Sequence, residues 1–161
     1  MMRIGHGFDA HRLAAGRPFV LGGVMIPHDR GPVGHSDGDV LSHAIADAIL
    51  GACALGDLGE HFPSSDERWR DADSLQLLAR CVALAGESGY AVSNVDASVV
   101  VERPPLAKHL PQIRERLAAT LAIPVAAVSV KAKTSDGMGY TGDGSGIATY
   151  AVALVEKNER G

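Results

Sequence analysis

Along this chain the spacing of apolar residues switches repeatedly between two periods, and that alternation restricts the fold more than any other feature. Residues 90–102 have period two: Val95, Ala97, Val99 and Val101 alternate with Asn94, Asp96 and Ser98. That pattern marks a strand with one buried face. Residues 40–55 carry the stripe Leu41, Ile45, Ala48, Ile49 and Ala52 at helical spacing, behind Asp39 as N-cap. A second helix is expected from a cap at Asp73 or Ser74 to about Gly86, with Leu75, Leu78, Val82 and Ala85 inward. A third is expected over residues 106–121, with Leu110, Ile113, Leu117 and Leu121 on one stripe. Residues 2–13, 128–134 and 146–155 read as extended, and Gly22-Gly23 joins residues 19–21 and 24–26 in a hairpin. Residues 28–34, 56–66 and 135–145 read as loops, and 158–161 as a fraying end. Strands and helices that interleave this way predict an α+β fold: a mixed β-sheet with helices packed on one face, in one domain over residues 1–161.

A chain of 161 residues buries a substantial core. The net charge of -4 argues against nucleic acid as a partner, because a phosphate backbone calls for a basic surface. No apolar run approaches the length of a membrane span, and no cationic start precedes an apolar run, so neither a membrane nor export is expected. Cys53 and Cys81 lie far apart in apolar helical patterns and read as reduced packing residues. A cytoplasmic enzyme fits this composition.

Chemistry concentrates in the first part of the chain, where six of the seven histidines fall within the first 61 residues. Asp9 and His11, two residues apart in an extended segment, share one face. His43 follows near the first turn of the first helix. One carboxylate and two imidazoles suit zinc, and three protein ligands leave a fourth position for substrate or water. Taken alone, Asp9-x-His11 also fits a polar strand face, and His43 a surface histidine. Asp47, one helical turn after His43, either holds the second imidazole nitrogen or is merely solvated. The polar run from His35 to Asp39 leads into a helix start, which suits either an anion or a capped turn. The late loop from Lys133 to Gly142 combines hydroxyls, a cation and glycines; it suits either a phosphate or a hairpin connection.

Four stretches together carry a resemblance: Arg3 to His11; His35-Ser36-Asp37-Gly38-Asp39-Val40 with His43-Ala44 and Asp47-Ala48; Gly56-Asp57-Leu58-Gly59 with Phe62-Pro63; and Val130 to Thr134 with Gly139-Tyr140-Thr141-Gly142. In order and spacing they resemble the 2-C-methyl-D-erythritol 2,4-cyclodiphosphate synthase family, from Met2 to about Lys157.

The resemblance implies conversion of 4-diphosphocytidyl-2-C-methyl-D-erythritol 2-phosphate to the 2,4-cyclodiphosphate with release of CMP, in non-mevalonate isoprenoid biosynthesis. It implies Asp9, His11 and His43 as ligands of Zn2+ or another divalent ion, and Asp136 as a ligand of Mg2+ or Mn2+ between the phosphates. His35 and Thr134 match the transition-state stabilisers. Ser36, Asp57, Gly59, Phe62 and Asp66 match the pocket for the methylerythritol part, and Tyr140 the wider substrate site. Lys133, Thr134 and Ser135, with Pro104 and Leu106 in the segment Val101 to Ala107, match the cytidine and diphosphate contacts. A homotrimer is implied, its sheets facing the three-fold axis and its sites lying between subunits. Two positions depart from the family pattern: Pro105 stands where lysine is usual, and Asp143 where arginine is usual.

Overall fold

The computed structural model describes residues 1–158. Strand β1 (Met2–Ala15) leads into β2 (Phe19–Leu21), β3 (Val24–Ile26) and the short β4 (Arg30–Pro32). Helix α1 (Val40–Ala52), the single-turn α2 (Leu58–His61) and α3 (Ser74–Glu87) follow. Then come β5 (Tyr90–Val100), α4 (Leu110–Leu121), β6 (Val128–Lys133), the single-turn α5 (Gly139–Gly142) and β7 (Gly146–Lys157). One sheet has the order β4-β1-β7-β5-β6, antiparallel except for the parallel pair β5–β6, and β2–β3 forms a separate hairpin.

Sheet register explains why the two faces differ. Gly5, Ala153 and Val95 lie side by side across β1, β7 and β5, as do Gly7, Ala151 and Ala97. These rows are buried under α1. The alternate rows, Ile4 with Leu154 and Phe8 with Tyr150, point the other way. Helix α1 packs on β1 and β7, α3 on β5, and α4 on β6. The expected mixed sheet with helices on one face is therefore what forms.

The glycines of β1 set how close α1 comes. A Cβ on Gly7 would sit 1.8 Å from the Ala44 carbonyl oxygen, and one on Gly5 1.8 Å from that of Ala48. Only hydrogen fits there, and the alanines on α1 allow the same approach from the helix side. Asp39 fixes the start of α1. Its carboxylate, fully buried, accepts hydrogen bonds from the Ser42 backbone and hydroxyl and from the Gly22 and Gly23 amides of the hairpin turn. One cap thus ties the hairpin to the helix. Gly22 and Gly23 both have positive φ, as a two-residue hairpin turn of this hand requires.

Several boundaries differ from the sequence expectation. Helix α1 stops at Ala52 rather than residue 55, because Ala54 turns left-handed and the Ala54 and Leu55 amides close back onto the Gly51 and Leu50 carbonyls. The third helix begins at Leu110, after a 3-10 turn at Ala107–His109, since Pro111 has no amide to donate in the first turn. Residues 30–32 form an edge strand against the end of β1, which itself runs to Ala15. Single helical turns interrupt two of the three expected loops, at α2 and α5. Strand β5 ends at Val100, two residues early, and β7 runs on to Lys157. Asn158 bonds the Gly89 carbonyl rather than fraying; residues 159–161 lie outside the described part. Both cysteines are free and buried, and burial pushes the Cys81 thiol up to about 12. No helix among the described residues is long and apolar enough to cross a membrane.

Candidate metal centre and flanking cavities

Asp9 and His11 have the same parity as Gly5 and Gly7, so both side chains leave β1 on the face that α1 covers. Ala44 lies over Gly7, which puts the preceding His43 beside Asp9. The close strand–helix approach therefore assembles the three groups. Asp9 Oδ2 lies 2.8 Å from His11 Nε2 and 3.0 Å from His43 Nδ1. The imidazole centroids are 5.7 Å apart. All three donor atoms fall within 4.8 Å of one another.

The outer nitrogens of the rings are also engaged. His11 Nδ1–H donates to the Val33 carbonyl at 2.6 Å, so in the neutral ring Nε2 carries the lone pair. His43 Nε2 faces the Ser74 hydroxyl at 2.8 Å and that of Ser36 at 3.1 Å. Burial works to raise the Asp9 carboxyl, but its contacts with the His11 and His43 rings outweigh burial and hold it at about 2. Burial works to lower the His11 imidazole, yet the Asp9 hydrogen bond and charge raise it above its ordinary value. One carboxylate oxygen and two imidazole nitrogens, each ring turned by a partner on its far side, fit a divalent cation.

Asp47 does not hold His43. Its carboxylate accepts the Leu58 amide at 2.7 Å and so braces the loop leading into α2. Neither sequence-based alternative for this residue applies, because a backbone amide eleven positions on reaches it first.

A cavity of about 350 Å³ opens onto the three groups and is lined also by His35, Ser36, Gly59, Phe62, Ser64, Trp69 and Leu77. Phe62 and Trp69 meet edge-on, with centroids 5.0 Å apart, and form part of its apolar wall. Sequence reasoning placed His35, Ser36, Gly59 and Phe62 here but missed Ser64, Trp69 and Leu77, whose spacing carries no motif. Asp57 and Asp66 are near in sequence but are otherwise engaged. Asp57 caps α2 through the Glu60 amide, and the Asp66 carboxylate is gripped by the Arg68 guanidinium. The Asp66 carbonyl accepts from His35 Nε2 at 3.3 Å.

The remaining expected site residues lie elsewhere on the chain. Pro104, Leu106, Lys133 and Thr134 line a second cavity of about 360 Å³. Tyr140 borders a cleft with His11, Arg12 and Gly146. Ser135 Oγ donates to the Met138 carbonyl and accepts from Thr141 at 2.7 Å, organising the late loop. Asp136 is exposed and has positive φ. Asp143 is exposed and accepts the Ser145 amide at 2.8 Å, a turn-forming role. Thus one chain brings together the metal ligands with His35 and Ser36, but not His35 with Thr134, nor Asp136 with the other ligands.

Residues 2–156 match the model of the YgbB family. The 2-C-methyl-D-erythritol 2,4-cyclodiphosphate synthase of Salinibacter ruber is 55% identical over 96% of this chain and 99% of its own. That of Geobacter metallireducens is 54% identical over 97% and 99%. Among solved structures, a 2C-methyl-D-erythritol-2,4-cyclodiphosphate synthase in its CDP-bound form superposes with a TM-score of 0.89 at 36% identity, over 96% of this chain and 100% of that one. The chain belongs to the YgbB family.

Proposed function

We propose that the protein converts 4-diphosphocytidyl-2-C-methyl-D-erythritol 2-phosphate to 2-C-methyl-D-erythritol 2,4-cyclodiphosphate and releases CMP, in the non-mevalonate route to isoprenoids. The observation that carries this reading is the convergence of Asp9, His11 and His43 on one point of a cavity walled by His35, Ser36 and Phe62, in a chain whose relatives bear that enzyme's name.

The substrate's own 2-phosphate attacks the β-phosphorus, and CMP leaves. No protein nucleophile is needed, so the work of the chain is positioning and charge stabilisation. Two mutually repelling phosphates must be held in line. Asp9 Oδ2, His11 Nε2 and His43 Nδ1 would hold the first ion, Zn2+ or a similar divalent metal. When bound, that ion supplies concentrated positive charge beside the reacting phosphates. Asp136 would offer its exposed carboxylate to a second ion, Mg2+ or Mn2+, which prefers oxygen ligands and, when bound, would supply further positive charge beside the diphosphate. His35 and Thr134 stabilise the charge that develops on the transferring group. Ser36, Asp57, Gly59, Phe62 and Asp66 form the pocket for the methylerythritol part. Pro104, Leu106, Lys133 and Ser135 receive the cytidine and diphosphate, and Tyr140 closes the flank.

A homotrimer completes the reading. Within one chain the metal-side and nucleotide-side residues line separate cavities, and a neighbouring subunit would bring one beside the other. The sheet face opposite the helices exposes Ile4 at 71%, Tyr150 at 48% and Phe8 at 45%, with the last two rings 5.0 Å apart. An apolar face of this kind favours sheets turned toward a shared axis. We place the enzyme in the cytoplasm.

Purified protein supplied with the cytidyl substrate, Zn2+ and Mg2+ is expected to release CMP, with a cyclic diphosphate visible by phosphorus NMR. An open-chain diphosphate would indicate hydrolysis and contradict the proposal. Failure to release CMP would leave binding alone and contradict it equally.

A further inference from the structure

The two imidazoles of the centre are turned by different means. The outer nitrogen of His11 donates to a backbone carbonyl, Val33, which no substitution of a side chain removes. That of His43 meets the Ser74 hydroxyl at 2.8 Å, and Ser74 lies 31 residues away, at the first position of α3. Ser74 is 1% exposed, so water does not stand in for it. Its hydroxyl in turn donates to Asp37 Oδ1, and its amide donates to Asp37 Oδ2 at 3.0 Å. Asp37 is itself held by the Asp39 amide at 3.1 Å, while its own amide bonds the Ala72 carbonyl.

Counting protons along this chain of contacts fixes their direction. An ionised carboxylate only accepts, so the single Ser74 hydroxyl proton goes to Asp37. The Ser74 oxygen is left with lone pairs toward His43, and the proton of that contact must sit on Nε2. Nδ1 then keeps its lone pair for a cation shared with Asp9 Oδ2. The Ser36 hydroxyl, at 3.1 Å from the same nitrogen, accepts less closely and has no carboxylate behind it.

We propose that Asp37 and Ser74 are positioning residues: a carboxylate–hydroxyl–imidazole relay that fixes the tautomer and ring orientation of His43 and thereby sets how tightly the centre holds a divalent cation. The proposal rests on the reading of Asp9, His11 and His43 as a metal site. It also gives α3 a function beyond packing, since the first residue of that helix supports a ligand on α1. Partners in this outer position change metal affinity by roughly 10–100-fold in other sites.

The test is a titration of metal-free protein with Zn2+ against a chromophoric chelator, for the unmodified chain and for Ser74→Ala, Ser74→Thr and Asp37→Asn. The unmodified protein is expected to bind one ion per chain at the three-ligand centre. Ser74→Ala is expected to weaken binding about tenfold or more, Asp37→Asn less but in the same direction, and Ser74→Thr, which keeps the hydroxyl, by no more than about threefold. Co2+-loaded Ser74→Ala should also show a shifted visible absorption spectrum, which loss of stability alone would not produce. If Ser74→Ala does not fold, Asp37→Asn decides, because it keeps the size of the side chain and one accepting oxygen while removing the charge and the second acceptor. Affinity within about twofold of the unmodified protein in both Ser74→Ala and Asp37→Asn overturns the relay, as do equal losses in Ser74→Ala and Ser74→Thr. If the unmodified chain binds no ion, the metal-site reading falls and the relay falls with it. If it binds one ion and the variants bind as tightly, only the relay falls.

Discussion

On the side of Asp9, His11 and His43, every ring nitrogen of the two histidines has a partner within the same chain. On the side of Lys133, Thr134 and Asp136, the side chains stand exposed, and the Thr134 hydroxyl accepts only a 3.4 Å contact from the Asp136 amide. The first region is built where a long strand and a buried helix touch. The second is built on segments that follow strand ends. On the proposed function the contrast is a division of labour: rigid elements hold the groups that need accurate convergence, whereas exposed segments would hold groups that meet the substrate or a neighbouring chain. Changes on the first side should therefore abolish ion binding or folding, and changes on the second should mainly alter substrate affinity.

The largest expected effect is from His43→Ala. Two remaining ligands hold an ion poorly, so stoichiometric zinc and CMP release should both be lost, as metal analysis and the turnover assay would show. Full zinc content with full activity would contradict the assignment.

Next comes acid. Because His11 has its pKa raised above the 6.5 of an ordinary imidazole, a proton competes with an ion for Nε2 beginning at higher pH than a free histidine would allow. Asp9, held at about 2, stays ionised throughout that range and gives no protection. Zinc affinity should thus fall as pH is lowered through the raised His11 value, measured by competition at constant ionic strength. In the metal-free protein the same two shifts act on stability in opposite senses. The Asp9 contribution is complete above its unfolded value of 3.8 and is lost as pH falls toward 2. The His11 contribution is complete below 6.5 and is lost as pH rises through the raised value.

Gly7→Ala tests the same side through packing. The added methyl meets the Ala44 carbonyl at 1.8 Å, so α1 must shift or the strand must bend. Overpacking of this kind costs about 1–3 kcal/mol, occasionally more. A drop in thermal midpoint together with weaker zinc binding is expected; neither change would mean that strand and helix are not as close as described.

How much of this was readable in advance depends on the range of the interactions. The strand of residues 90–102 and the stripes of α1 and α3 were legible because period and capping are local. So were Asp9 and His11 on one face, since parity along a strand is local too. That His43 joins them rests on Gly5 and Gly7 meeting Ala48 and Ala44, a fit visible only when strand and helix are placed together. The edge strand at Arg30–Pro32 was hidden because its pairing with the end of β1 is long-range and its glycine and proline signal a loop. The partners of Asp47 and Ser74 are hidden for the same reason. One bonds an amide eleven residues on, and the other a histidine 31 residues back. Motif similarity located Pro104, Leu106, Lys133 and Thr134 around one cavity without revealing that His35 lies in another.

On the exposed side, smaller effects are expected. Lys133→Ala should raise KM for the cytidyl substrate roughly fivefold while zinc content stays unchanged, because it removes a charge contact of about 1 kcal/mol and no ligand. A loss of zinc in that variant would erase the distinction between the two regions. Asp143→Arg should tighten substrate binding a few-fold, since an exposed like charge beside an anionic ligand is replaced by a complementary one. Unchanged affinity would show that Asp143, tied to the Ser145 amide, faces away from the phosphates.

Anomalous diffraction at the zinc absorption edge, from crystals of zinc-loaded protein, tests the account at its centre. A single strong peak per chain, within bonding distance of Asp9 Oδ2, His11 Nε2 and His43 Nδ1, is the expected result. A zinc-loaded crystal with its peak elsewhere, and these three side chains in contact with none, would contradict it.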